Sequence, residues 1–434
     1  MKFKIFQLCL FLVMSISYSQ IGFQQNVVID ESFGVVNPSS IVAADIDGDG
    51  LEDVIVSGIN EVAWFKNLNN NGSFSKTNTI YNGFDNPRNL QVADIDDDND
   101  LDIFLYLDTN QGKALVWLEN TDGLGNFADT QTLVINDWTS PIGYQIIDVD
   151  ADGDLDIAFG YSGFIGWLEN DNLTFTANVL LGSPNTAANN YQGFTTTDAN
   201  GDNLKDFVVD VGYDLRVYDF QNDGSLGFLG TIGTFAQGYF VTSADIDNDG
   251  DNDIIRIFEN GGNDRKIRLY ENLDGLGNFA SVQTIVSLEN LPSTSNSDTK
   301  SLILKDINAD DLLDIVLHES TTKKLSTYIN QGNNTFSDET VVADNFVNLN
   351  SIHVSDINGD QKIDILTTSR DDSQVSWFQN LDDLGNFSSE NKITNYAYFI
   401  NHVDAGDLDG DGDMDIVSSS HADHKLAWYP NVNG

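Results

Sequence analysis

Eight stretches of nine residues hold most of the chemistry this sequence could do. They read DIDGDGLED from Asp45, DIDDDNDLD from Asp94, DVDADGDLD from Asp148, DANGDNLKD from Asp198, DIDNDGDND from Asp245, DINADDLLD from Asp306, DINGDQKID from Asp356 and DLDGDGDMD from Asp407. Positions 1, 3, 5 and 9 of each stretch offer side-chain oxygens. The donors are Asp45, Asp47, Asp49 and Asp53; Asp94, Asp96, Asp98 and Asp102; Asp148, Asp150, Asp152 and Asp156; and Asp198, Asn200, Asp202 and Asp206. The second half of the chain continues with Asp245, Asp247, Asp249 and Asp253; Asp306, Asn308, Asp310 and Asp314; Asp356, Asn358, Asp360 and Asp364; and Asp407, Asp409, Asp411 and Asp415. Like charges about 4 Å apart cost on the order of 1 kcal/mol per pair even in water. The metal-free loop is therefore expected to be strained or mobile. Hard oxygen donors, with a backbone carbonyl at position 7, favour Ca2+ over Zn2+ or a transition metal. An EF-hand is excluded, because its final acid falls at position 12 and helices flank it, whereas here a strand follows position 9.

The copies are unequal. Those at Asp45, Asp148, Asp245 and Asp407 combine three or more acids with Gly50, Gly153, Gly250 and Gly412 at position 6, and are expected to bind best. Asn99 and Asn203 adopt left-handed backbone nearly as readily as glycine, Asp311 and Gln361 less so. The loops at Asp306 and Asp356, which also carry Asn at position 3, are expected to be weakest. A loop that spends every donor on its ion acts as a staple between strands, which is favoured here over an ion bridging to a ligand.

The elements that must position these loops repeat with them, at spacings of 47 to 61 residues. A short apolar run precedes each loop and a β-branched run such as DVIVSG or DIVLHE follows it, with no helical period. A third strand then ends in Asn, at Asn67, Asn120, Asn170, Asn272, Asn330, Asn380 and Asn431. A turn such as NTDGLGNF or NLDDLGNF leads to a fourth strand. Four-stranded units of this kind bury their faces by stacking radially, so the expected fold is all-β: an eight-bladed β-propeller of four-stranded antiparallel blades. The opening FQQNVVID supplies a fourth strand and the last repeat stops after its third, so pairing of the N- and C-terminal strands is expected to close the ring. Seven blades is the alternative, because the gap between Asp253 and Asp306 could hold an irregular element.

Residues 1–19 read as a signal peptide, with Lys2 and Lys4 before the apolar run Ile5 to Met14 and Ser17 and Ser19 near the cleavage point. The expectation is a secreted or cell-surface protein whose single propeller domain spans 20–434. Cys9, the only cysteine, lies in that leader, so the mature chain has no disulfide to brace it. The formal charge of -48 becomes -50 once the leader's two lysines are gone, which argues against nucleic acid and anionic lipid as partners. No later segment suggests membrane insertion, and a monomer is expected.

At these residues the chain resembles the FG-GAP and VCBS repeat family, the blades of integrin alpha-subunit propellers and of many secreted bacterial proteins. The resemblance covers about residues 21 to 431. It rests on the Asp loops and the DIV-like strands after them, and more loosely on the WxxN strand and GxF turn. It implies a calcium-stabilised propeller used in adhesion or ligand binding, with the loop acids as calcium ligands.

If the metal loops share one face of the disc, the opposite face is the candidate for recognising a glycan or an extracellular protein. Its expected loops carry Arg88, Trp138, Tyr144, Tyr161, Tyr191, Tyr239, Arg265, Lys266, Arg370, Tyr396 and Tyr398, whose rings could stack on sugars or anchor a protein. Trp64, Trp117, Trp167, Trp377 and Trp428 recur at one place in the repeat, which fits a core position between blades. The histidines His318, His353, His402, His421 and His424 all fall in the last three blades. His402 joins the ligand-binding candidates. With Arg370 and Tyr398 these histidines offer an alternative, a polysaccharide lyase or glycoside hydrolase. Against catalysis, no GxSxG, HExxH or Cys-His arrangement is present.

Overall fold

The computed structural model describes residues 27–30 and 40–432 apart from short connections, chiefly 69–74, 136–140, 183–190, 289–298, 370–373, 395–399 and 421–424. The proposed signal peptide lies outside the described residues. Within them are eight four-stranded antiparallel sheets and no helix. The eight-bladed propeller is the fold, and the seven-blade alternative falls. The long interval between Asp253 and Asp306 holds three complete strands, Asp253–Asn260, Asp264–Tyr270 and Gln283–Ser287, before the next blade opens at Thr299–Lys305.

Blades are numbered here by their loops, from Asp45 in blade one to Asp407 in blade eight. Blade one runs through Ser40–Ala44, Asp53–Ser57, Glu61–Phe65 and Asn78–Asn82, each strand paired with the next. Its second strand, DVIVS, is buried at every position, whereas the fourth, NTIYN, is mostly exposed. A continuous β-branched run suits a strand covered on both faces. First strands of adjacent blades contact one another, so they form the inner ring and the fourth strands the outer edge. In blade eight the strands Ile400–Gly406, Asp415–Ser420 and Lys425–Tyr429 are joined by Val27–Asp30, with Val27 opposite Trp428.

The apolar core is divided among the seams between blades. One cluster joins Ile46, Ile55 and Trp64 of blade one to Leu90, Ile103 and Val116 of blade two. Another joins Leu408, Val417 and Trp428 of blade eight to Ile41, Val54 and Phe65 of blade one. The five recurrent tryptophans are all buried, as core residues should be. Trp64 also explains a turn glycine. A Cβ on Gly125 of blade two would lie 2.3 Å from the Trp64 ring, and its φ of +78° independently favours glycine.

Candidate metal centres

Position 9 of the loop is the best-defined carboxylate in each blade. Asp156 accepts the Val149 N–H on Oδ2 and the Asn170 N–H on Oδ1, both at 2.9 Å. Asp253 repeats this with Ile246 at 3.2 Å and Asn272 at 2.8 Å. The carboxylate thereby ties loop position 2 to the end of strand three. All eight of these aspartates are buried. Each bonded oxygen keeps a second lone pair that a cation could use.

The strand-three asparagine continues the connection into the neighbouring blade. Asn120 Nδ2 donates to Ile46 O at 2.9 Å, Asn170 to Ile95 O at 3.0 Å, Asn272 to Ala199 O at 2.8 Å and Asn431 to Ile357 O at 2.7 Å. Asn330 and Asn380 reach Ile246 and Ile307, and Asn67 of blade one reaches Leu408 of blade eight. Each acceptor is loop position 2 of the preceding blade. Blade four departs from the pattern, with Phe220 in place of Asn. There the Lys205 backbone N–H takes over, donating to Val149 O at 2.8 Å.

Positions 1 and 5 hold the outer part of the loop. Asp245 accepts the N–H groups of Asp249 and Gly250 at 3.1 and 3.0 Å, and Asp249 accepts that of Asp251 at 3.1 Å. Position 6 is left-handed in all eight loops, including Asp311 at +68° and Gln361 at +66°. Position 4 is left-handed too, at Gly48, Asp97, Ala151, Gly201, Asn248, Ala309 and Gly410. Alanine there costs about 1–2 kcal/mol, and its small size at a fixed loop position was the available sign.

Carboxylates from one loop converge in five blades. Asp45, Asp47 and Asp53; Asp94, Asp96 and Asp98; Asp148, Asp150 and Asp156; Asp245, Asp247 and Asp249; and Asp407, Asp409 and Asp415 each bring ligand atoms within 4.8 Å of one another. Burial, opposed by the backbone N–H bonds, pushes Asp53 and Asp314 up to about 6, Asp102, Asp156, Asp206, Asp253 and Asp415 to about 7, and Asp364 to about 8. Burial and then neighbouring carboxylates raise Asp96, Asp251 and Asp409 to about 6. Several buried oxygens have no protein partner, among them Asp102 Oδ2, Asp96 Oδ1, Asp148 Oδ1 and Asp247 Oδ1. Such atoms fit a hard cation, which would replace the missing donor and cancel the repulsion.

Three regions, residues 45–105, 306–367 and 356–418, match the model of the FG-GAP-like repeat. The chain contains FG-GAP-like repeats in these three regions. A solved lectin of Agrocybe aegerita, described for specific recognition of non-reducing terminal N-acetylglucosamine, is similar in fold. Its TM-score is 0.56 at 17% identity, covering 91% of this chain and all of that one. The BBS1N structure in complex with ARL6DN aligns with a TM-score of 0.47 at 10% identity, over 79% of this chain and 91% of that one. No curated protein matches.

The loops with Asn at position 3 are arranged differently from the acidic ones. Asn200 donates to Asp219 at 2.8 Å and Asn308 to Asp310 at 2.9 Å, while Asn358 lies outside the described residues. Acids just before the strand-three Asn were missed by sequence reasoning. Glu119, Glu169 and Glu271 add negative charge beside Asp96, Asp150 and Asp247, and Lys66 occupies the same place in blade one.

Few of the candidate recognition residues fall among the described side chains. Arg88 is exposed at the start of a first strand. Tyr144 is corrected: it is buried between blades two and three, and its hydroxyl donates to Asn89 O at 2.6 Å. Arg265 is also withdrawn into the protein, pairing with Glu319 at 2.9 Å, because an unpaired guanidinium could not be buried there. Trp138, Arg370, Tyr398, His421 and His424 lie outside the described residues, as do the side chains of Tyr191 and Tyr239. His318 is buried within blade six. His402 and His353 are partly buried on the first strands of blades eight and seven, where burial lowers both pKa values and Asp404 opposes it. Two polar clefts of about 280 and 310 Å³ adjoin the metal loops. The first is lined by Asp150, Trp167 and Glu169, the second by Asp96, Asp154 and Asn172.

Proposed function

We propose that this chain is a secreted calcium-binding propeller for adhesion or recognition, in which calcium is structural and a glycan or extracellular protein is the partner. The observation that carries the calcium reading is the set of buried, unpartnered carboxylate oxygens inside converged acid clusters, Asp96 Oδ1, Asp148 Oδ1 and Asp247 Oδ1. The residues that would hold ions are those of positions 1, 3, 5 and 9, best in blades two, three, five and eight. A bound ion would supply charge neutralisation and fix the loop geometry. Extracellular calcium at millimolar levels would fill even sites of about 10⁻⁴ M.

The lectin neighbour makes a terminal sugar the first ligand class to test, because a propeller of this shape presents a broad face of connections. The decisive experiment is thermal unfolding in millimolar Ca2+ and in EDTA, paired with a glycan array under both conditions. A higher melting temperature in Ca2+ and calcium-dependent glycan retention without turnover support the proposal. Equal melting temperatures refute the calcium role, and new reducing or unsaturated ends refute the non-catalytic one.

A further inference from the structure

We infer that blade one carries its own cation, the Lys66 ammonium, where its sister loops would take a metal ion; this rests on the calcium reading and refines it. The residue before the strand-three asparagine sits beside its own loop. In blades two, three and five that residue is Glu119, Glu169 and Glu271, each close enough to raise the position-3 aspartate. In blades six, seven and eight it is Ile329, Gln379 and Pro430. Blade one alone has a base there.

Lys66 Nζ pairs with Asp47 Oδ2 and lies 3.0 Å from Asp49 Oδ2. Those two oxygens belong to positions 3 and 5, two of the four side chains that a metal ion would need. Asp47 is buried, and the Lys66 side chain is about two-thirds covered, at 32% exposure. An ammonium is a compact single positive charge with three donors and no acceptor, so it bonds both carboxylates from within the ring of ligands and offsets part of their charge. A divalent ion entering the same space would meet a positive charge and lose two donors. The loop that looks strongest by composition, DIDGDGLED, is therefore the one closed to the ion.

Lys66 also links ion content to the fold differently from the other blades. Blade one's loop keeps one compensating charge in a chelator, while the clustered acids of blades two, three, five and eight keep none from this position. Counting bound ions by native mass spectrometry in millimolar Ca2+ tests this. Asp45→Ala should leave the wild-type count unchanged, Asp148→Ala should lower it by one, and Lys66→Glu should raise it by one. A count that drops by one in Asp45→Ala overturns the inference. If wild type holds no ion, the calcium reading itself fails, and Lys66 with it. Should Asp45→Ala not fold, Lys66→Gln serves instead: one ion gained supports the inference, and an unchanged count overturns it.

Discussion

The inner and outer halves of each acidic loop use the same residue type for different purposes. At position 9, aspartate is buried and, in every blade but the second, binds two backbone N–H groups, so it belongs to the sheet as much as to the metal site. At position 5, aspartate is exposed, and in blade five Asp249 accepts an N–H from its own turn. One carboxylate is needed whether or not an ion is bound; the other gains its main purpose when one arrives. Composition alone makes them look interchangeable.

The largest effect should come from the inner half. Asp253→Ala orphans the Ile246 and Asn272 N–H groups and should destabilise by about 2 to 6 kcal/mol, from about 1 to 3 for each buried donor. Denaturant unfolding should show this loss already in EDTA and a larger one in Ca2+, where the variant also lacks an ion ligand. A loss confined to Ca2+ would erase the distinction between the halves.

Next come the links between blades. Asn272→Ala leaves Ala199 O without its donor and should cost about 1 to 3 kcal/mol. Lys205→Ala in blade four should change stability by less than about 0.5 kcal/mol, because the backbone N–H that meets Val149 O remains. Equal losses in the two variants would show that the asparagine side chains do not hold the seams.

The pH dependence separates the halves further. The position-9 carboxyls titrate at about 6 to about 8 in the ion-free fold, above the unfolded value near 3.8. The ion-free folded state therefore binds more protons than the unfolded chain between those limits, and its stability falls as pH rises through them. Melting in EDTA should drop from pH 5 to pH 8, and the gap to the Ca2+ curve should widen, since the ion needs the ionised form. A melting point in EDTA that rises over this interval would contradict the buried setting of these groups.

The smallest effect belongs to the rim. Asp249→Ala should cost under about 1 kcal/mol in EDTA, where only an exposed turn bond is lost. Its melting point should nevertheless respond less to added Ca2+ than that of wild type.

Much of the fold was legible because the repeat carries it. The β-branched runs and the Asp loops mark every blade, the WxxN strand marks five, and burial of Trp64 and its equivalents follows from their recurrence. The site was legible in part. Loop positions 1, 3, 5 and 9 could be read off, but the double bonding at position 9 could not, since it depends on a strand end fourteen to nineteen residues away. The asparagines were visible as a pattern, and their acceptors were not, because these lie one blade earlier, some 73 to 84 residues back within the chain. Tyr144 misled for a related reason. A tyrosine beside a connection looks available until the neighbouring blade supplies Asn89 O for its hydroxyl.

The asparagine links have a direction. Every one reaches toward the blade before it, and the contact from Asn67 to Leu408 carries the same sense from the first blade to the last. Each loop thus grips the third strand of its own blade through position 9 and is itself gripped by the asparagine of the blade ahead. A loop emptied of its ion would loosen its hold on one seam first, so damage should spread around the disc in a single rotational sense.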